Sequence, residues 1–433
     1  MVARDRGTED VGVAWLMGDE PIHRSRPTGF DLRPASMPEA AEVAPRVWVS
    51  EGLSNTFCLP TDEGRVVVNT GMGFESPVHK RNFDALDDGP VHSILLTQGH
   101  VDHVGGVDHL REPGTRVVAQ AGNPAHQADD DRIAAYRMDR SSFAFGETVL
   151  SGIRRIAEEF GSLPAQAVPT PDVLVDDELT LDIGGRRFQL LHVPGGETVD
   201  SLVVWLPEEG VLISGNFFSA LFGHIPNLVT LRGDRLRDPL VFLRSTERIL
   251  ALEAEVLLPG HHQPVRGAAT VRREIERVRD ATRWVHDRTV EGMNDGRTLW
   301  QLMDEVELPP DLEVGEGYGK VAWGVRAIWE LYAGWFKHES TTELYGSPRA
   351  DADADVVAVV GAEALLARAR ELVADDPLRA IHLAEIVAHG APGTDGTDAV
   401  LADAHGRLRD GEENFWLASW LDERIEAHGG GAP

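Results

Sequence analysis

Leu95-Leu96-Thr97-Gln98-Gly99-His100-Val101-Asp102-His103-Val104-Gly105-Gly106 closes an apolar run and opens a polar, glycine-punctuated one. The run from His92 to Leu96 predicts a buried strand that ends in a turn. Two histidines and an aspartate follow between His100 and His103. At a strand end, that spacing lets neighbouring side chains turn inward onto one or two cations. Imidazole and carboxylate are donors that a borderline divalent ion such as zinc accepts. The Gly105-Gly106 pair allows the backbone to turn tightly beneath them. A polar surface loop is the plain alternative, and segments further along the chain argue against it.

From Thr97 to Gly106 the stretch resembles H-x-H-x-D-H, the metal signature of the metallo-β-lactamase superfamily, with Gln98 where the first His belongs. Downstream, Val193-Pro194-Gly195-Gly196-Glu197 has glycine where most of the superfamily has a ligand His. It is similar instead to the P-G-T-E of the alkyl sulfatase branch, which implies Glu197 as a ligand. His192 is a weaker candidate, suited to supporting the site or to the core. Val211-Leu212-Ile213-Ser214-Gly215-Asn216 predicts a strand that ends at the superfamily's bridging carboxylate, here replaced by Asn216. Asn227-Leu228-Val229-Thr230-Leu231-Arg232-Gly233 resembles the N-L-Y-T-L-R-G of alkyl sulfatases, where the arginine binds the sulfate. A guanidinium fork suits an oxyanion; a surface salt bridge is the alternative for Arg232. Leu257-Leu258-Pro259-Gly260-His261-His262 resembles the late superfamily histidine, with His261 as ligand and His262 as a substrate-side or structural residue. Tyr318 to Phe336 is similar to a further sulfatase segment, Y-G-T-V-x-H-N-x-K-A-x-Y-x-x-Y-x-G-W-F, which implies a substrate-side Tyr318; its H-N pair is replaced by Trp323-Gly324.

The resemblance implies two metal sites. One would use Gln98, His100 and Glu197, the other Asp102, His103 and His261. An amide oxygen is a weak, neutral donor better suited to harder cations than zinc. Asn216 offers no charge to offset the repulsion between two close cations. The second site is therefore expected to be the stronger. The cofactor expected is a divalent metal, zinc by preference, one or two per chain, with iron or manganese as alternatives.

At 433 residues the chain is expected to form two or three domains. With no apolar run near the roughly 20 residues that span a bilayer, no membrane span is expected. Residues 1–29 lack the apolar core of a signal peptide, and the single Cys58 excludes an internal disulfide, so a cytoplasmic location is expected. A formal net charge of −30 with no basic patch argues against nucleic acid. It also repels anions at long range, so an anionic substrate needs the metal and arginines nearby.

Along the chain, 1–44 reads as an extended lead-in, 45–268 as the metal-site domain, 269–349 as a helical extension and 350–433 as a helical, dimerisation-type domain. The first part predicts strands at His92–Thr97, Thr115–Ala119, Phe188–Val193, Leu202–Leu206, Val211–Ser214 and Glu255–Leu258, with three more between Arg46 and Asn69. Helices are predicted over Pro77–Asp87 and Pro239–Leu252, and a helical flap over Asn123–Gly146, with Arg132, Arg137 and Arg140 beside the site. Cys58 falls in a strand as a small core residue. An acidic linker at Asp351–Asp355 precedes four helices, and the match of this part to alkyl sulfatases implies a homodimer. The expected fold is α+β, a four-layer αβ/βα sandwich followed by an all-α domain. The expected function is hydrolysis of an ester, favouring an alkyl sulfate-like anion, with Asp102 and Arg232 catalytic and Arg232, His262 and Tyr318 on the substrate. Two alternatives stand beside it: redox or lyase chemistry at a mononuclear iron-type centre, since two imidazoles and a carboxylate also hold iron(II), and a non-catalytic metal-binding homologue.

Overall fold

The computed structural model describes residues 20–430, so the expected lead-in over 1–19 lies outside them. Two sheets follow in chain order. The first runs Ala41–Ala44 (β1), Val47–Ser50 (β2), Thr56–Thr61 (β3), Gly64–Val68 (β4), Val91–Leu95 (β5), Arg116–Gln120 (β6) and Val173–Val175 (β7). β1 to β4 pair antiparallel, and β4 to β7 parallel. The second holds Glu178–Ile183 (β8), Arg186–His192 (β9), Leu202–Leu206 (β10), Val211–Gly215 (β11), Val256–Pro259 (β12) and Val265–Arg266 (β13).

Period-two patterning builds the layers. Val66, Val68 and Leu95 point between the sheets and meet Phe188, Leu190, Val204 and Ile213. Their neighbours Val67, Ile94 and Leu96 point outward with Cys58. There they meet Phe83 of Ser76–Leu86 (α1), Val104 of the single turn Val101–Val104 (α2) and Leu110 of Val107–Leu110 (α3). Asn123–Arg132 (α4) and Ala134–Phe160 (α5) follow. The outer face of the second sheet is covered by Pro239–Leu250 (α6), Ala268–Asn294 (α7), Leu299–Glu305 (α8) and Val321–Ala333 (α9). Asp238 caps α6 by accepting from Leu240 and Val241 N–H, with Pro239 in its first turn. On α7, Val271, Ile275, Val278 and Val285 repeat at helical spacing and pack with Leu257 and Ile328 into one core. The αβ/βα sandwich is the expected one. The helical extension shares the core of the second sheet and has none of its own.

Several boundaries differ from expectation. β1 starts at Ala41, inside the expected lead-in. β7 is only three residues long, and β8 alternates Leu179, Leu181 and Ile183 toward the core between exposed polar residues; neither strand was among those expected. α5 runs past the expected flap to Phe160, because Val149, Ile153, Ile156 and Phe160 continue its apolar stripe against Phe74 and Val78. The expected linker is helical from its third residue. Asp353–Val360 (α10) carries Asp353 and Asp355 in its first turn, where carboxylates favour a helix start. It joins Ala362–Leu372 (α11), Pro377–Gly390 (α12), Thr397–Arg409 (α13) and Phe415–Ala427 (α14), five helices instead of four among the described residues.

Trp416 of α14 fixes this all-α part to the rest. It is 1% exposed and meets Phe143 and Phe145 of α5 edge-on, at ring distances of 5.8 and 5.4 Å, and Tyr318 at 5.8 Å. Removing a buried indole leaves a cavity at the junction. Trp416→Ala is expected to cost about 3–5 kcal/mol of stability, read from urea unfolding. A loss under about 1 kcal/mol would show that the junction carries little of the fold's stability.

Candidate metal centre

The ends of β5, β9, β11 and β12 converge where the two sheets meet. Leu202 N–H donates to the Thr97 carbonyl at 2.7 Å and ties one sheet to the other. Thr97 donates from both N–H and Oγ1 to Asn69 Oδ1, each at 3.0 Å. Asp200 accepts from Gly99 N–H at 3.3 Å and from Asn123 at 2.7 Å, which holds the loop after β5. Only glycine fits at 99, since a Cβ there would lie 2.4 Å from the His126 ring. His100 caps α2, and that single turn carries both Asp102 and His103.

Asp102, His103 and His261 come together, their donor atoms all within 4.8 Å of one another. Asp102 Oδ2 lies 3.4 Å from His103 Nε2 and 3.8 Å from His261 Nε2. His261 Nδ1–H donates to the Leu53 carbonyl at 2.6 Å, which leaves the Nε2 lone pair facing the cluster. His103 is fully buried, and neither of its ring nitrogens has a hydrogen-bond partner. Burial pushes this imidazole down to about 4 despite the opposing charge of Asp102, so it is neutral at pH 7. Burial raises Asp102, but His103 and His261 outweigh it and keep the carboxyl low. A neutral His103, a His261 ring turned so that Nε2 faces the cluster, and one carboxylate fit a divalent cation. The turn after β12 must come close as well, since a Cβ on Gly260 would lie 2.0 Å from Asn216 Oδ1 and 3.1 Å from His103.

The other expected ligands are adjacent, but they are bonded to one another. Gln98 Nε2 lies 3.0 Å from His100 Nδ1, and Gln98 Oε1 accepts from Asn216 N–H at 3.2 Å. Asn216 Nδ2 donates to Glu197 Oε2 at 2.9 Å and also lies 2.9 Å from His261 Nε2. His100 Nε2 faces Arg232 Nη2 at 3.0 Å. Burial pushes the Glu197 carboxyl up, yet the hydrogen bond with His100, the charge of Arg237 and the Asn216 amide hold it well below its usual range.

Arg232 is brought to the site as expected, together with a residue not anticipated. Asp234 Oδ2 lies 3.7 Å from Arg232, 3.8 Å from Arg237 and 3.8 Å from His100, and its Oδ1 accepts from Arg137 at 3.3 Å. Burial works against its charge, but His100, Arg237 and Arg232 keep it ionised. The sequence signal was the dense Arg-Gly-Asp-Arg-Leu-Arg run at 232–237. Tyr318 is buried, and the nearby charges acting on its hydroxyl are Glu197, Arg232 and Asp102, which places it beside the site. His262 directly follows His261; its backbone is left-handed at φ 60°, and His261, Arg26, Asp31 and the Thr28 backbone act on its ring. His192 bonds the Val199 carbonyl at 3.1 Å and supports the loop.

Behind His261 stands Glu75, fully buried. Its carboxylate accepts from Leu53 N–H at 2.9 Å, Ala35 N–H at 2.8 Å and Met72 N–H at 3.1 Å, which fixes the loop whose Leu53 carbonyl orients His261. Glu75→Gln turns an amide donor toward one of these donors and is expected to cost about 1–3 kcal/mol. Burial pushes the Glu75 carboxyl up to about 7, against the pull of the three N–H groups. The folded state therefore holds this proton more tightly than the unfolded one. Its contribution to stability falls as pH rises from the ordinary carboxylate range through about 7. The advantage of wild type over Glu75→Gln should narrow between about pH 5 and about pH 8, read by thermal unfolding. A widening gap would refute the assigned sign.

The metallo-beta-lactamase superfamily model matches residues 49–261, and the alkyl sulfatase dimerisation model matches 298–425. A linear primary-alkylsulfatase from a Pseudomonas species is 32% identical over 322 residues, 70% of this chain and 60% of that protein. The alkyl/aryl-sulfatase BDS1 of Saccharomyces cerevisiae is 25% identical over 393 residues, 83% of this chain and 60% of that one. The chain thus spans 60% of the length of each of these relatives. The solved structure of the inverting sec-alkylsulfatase Pisa1 from Pseudomonas sp. superposes with a TM-score of 0.79 at 23% identity, over 91% of this chain and 66% of that one. The two family matches, the sandwich and the helical domain behind it agree, and the chain belongs to the metallo-β-lactamase superfamily, in its alkyl sulfatase-like branch.

Proposed function

We propose that this protein is a metal-dependent hydrolase of an anionic ester, with alkyl sulfates as the favoured substrate class. The observation that carries this is the Asp102, His103 and His261 cluster lying beside a guanidinium, Arg232, that His100 and Asp234 hold in place. The relatives' names point the same way. Asp102, His103 and His261 would hold the metal, zinc by preference, with iron or manganese also suited to these donors. Bound there, a divalent cation supplies Lewis acidity and makes water a usable nucleophile near neutral pH.

The chain's own residues do the rest. Arg232 turns Nη2 to His100 and to the ion pair with Asp234, and its other N–H groups are left for the anionic end of the substrate. Tyr318 keeps its proton, because burial and the charge of Glu197 oppose ionisation, so it stays a hydrogen-bond donor. Glu75 and Leu53 hold His261 in the tautomer that presents Nε2. A homodimer through the C-terminal helices belongs to this reading, supported by the dimerisation match. The full chain should sediment as a dimer, and a monomer would refute that part. No described helix is long and apolar enough to cross a membrane. A cytoplasmic location belongs to the same reading, since the one cysteine is free and buried.

The test is release of inorganic sulfate from medium-chain alkyl sulfates, with matched neutral carboxylic esters as controls, before and after chelation and metal return. Sulfate release that vanishes on chelation and returns with metal is the expected result. Metal-independent turnover, or turnover of neutral esters alone, would overturn it. The same donors fit iron(II), so one tightly held iron with no hydrolysis would favour the redox or lyase reading.

A further inference from the structure

We infer that the centre holds one metal ion, and that the Arg232 guanidinium and the Asn216 amide close the half where a second cation would sit. The inference rests on the metal-centre part of the proposed function and is independent of the substrate.

The two halves differ in how their donor atoms are used. In the Asp102, His103 and His261 half, both His103 nitrogens are without hydrogen-bond partners, and the amide contact there is that of Asn216 Nδ2 on His261 Nε2 at 2.9 Å. In the other half, the donor atoms of Gln98, His100 and Glu197 face protein groups, and Asn216 Oδ1 is left unpartnered. His100 Nε2 lies 3.0 Å from Arg232 Nη2 and His100 Nδ1 3.0 Å from Gln98 Nε2; a neutral imidazole accepts from one of these two donors. Gln98 Oε1 takes the Asn216 backbone N–H at 3.2 Å, and Glu197 Oε2 takes the Asn216 side-chain N–H at 2.9 Å. A cation there would have to break these contacts.

It would also have to displace a like charge. Arg232 already supplies one positive charge at the His100 ring, and Asp234 holds it from behind at 3.7 Å. A dication against a guanidinium at such range is strongly repelled in a buried site. Between the halves stands Asn216, a neutral amide whose NH2 points at both Glu197 and His261. It shields neither cation from the other. The residues of this half do not fit a metal. They form a positioning network that aims Arg232 and balances Glu197 and Asp234 without a second ion.

The test is native mass spectrometry and elemental analysis of the full chain titrated with zinc, together with electron paramagnetic resonance of the manganese(II) form. Expected are one zinc per chain at saturation and the spectrum of an isolated manganese. Two zincs per chain, or spin-coupled manganese, would overturn the inference. No bound metal at all would overturn the metal-hydrolase reading itself and this inference with it, a distinguishable failure. Gln98→His with Asn216→Asp and Arg232→Ala should raise zinc from one to two per chain. If this triple variant folds, as judged by circular dichroism, and stays at one, the closure does not come from these residues.

Discussion

His103→Ala empties the metal centre and lowers turnover by about 10²-fold or more, while His92→Ala leaves both unchanged. His103 is fully buried and neutral, with both nitrogens free of hydrogen bonds, so its place in the fold is suited to ligation and costs the protein otherwise unmet polar atoms. Loss of groups that merely support a ligand already costs about 10–100-fold in metal affinity, and loss of the ligand should exceed that. The remaining pair, Asp102 and His261, lacks a third donor. His92, by contrast, bonds Ser93 Oγ at 2.9 Å on the strand before the loop and takes no part in the cluster. The check is metal content after gel filtration, with turnover measured on the same sample. Unchanged metal in His103→Ala would remove the assignment of this centre.

Arg232→Ala should lower kcat/KM for an alkyl sulfate by a factor corresponding to about 1.5–3 kcal/mol, the worth of a hydrogen bond to a charged group. A matched neutral ester should be unaffected. Arg232→Lys should recover only part, because an ammonium lacks the planar fork whose Nη2 faces His100 and Asp234 while other N–H groups remain for the proposed substrate. The protein's formal charge of −30 repels an anion on approach. Added salt should therefore speed capture of the sulfate ester by screening that field. Within a few ångströms, the metal and Arg232 outweigh the distant carboxylates. Equal losses on both substrates, or none on either, would separate Arg232 from anion recognition.

What the sequence disclosed was local and periodic. The strand before Thr97, the turn of α2 and the Pro-Gly step before His261 are short-range patterns, so Asp102, His103 and His261 were legible. The layers were legible through the family resemblance; that Val66 and Val68 face one layer and Val67 the other is seen only in the fold, since three consecutive valines show no alternation. Other features depend on partners far along the chain. The carbonyl that orients His261 belongs to Leu53, 208 positions away, and no side chain marks it. Asp234 became visible only when Arg137, Arg232, Arg237 and His100 were seen around it. Gln98 and Asn216 could be read as missing ligands, but not as members of a hydrogen-bonded network with Arg232, since that depends on a contact between positions 100 and 232. β8 carries a legible alternation, Leu179, Leu181 and Ile183 between Glu178, Thr180 and Asp182, and was passed over although that signal was present.

α5 touches both ends of this story. Near its start, Arg137 reaches Asp234 at 3.3 Å and Arg140 bonds the Leu231 carbonyl at 2.7 Å, steadying the loop that carries Arg232. One or two turns on, Phe143 and Phe145 are clamped by Trp416. A helix of 27 residues is a rod about 40 Å long, too stiff to bend freely between such points. The all-α part and the loop beside Arg232 are thus mechanically joined: a change of packing at Phe143, Phe145 or Trp416 acts on a stiff helix whose other end holds Asp234 and the Leu231 carbonyl.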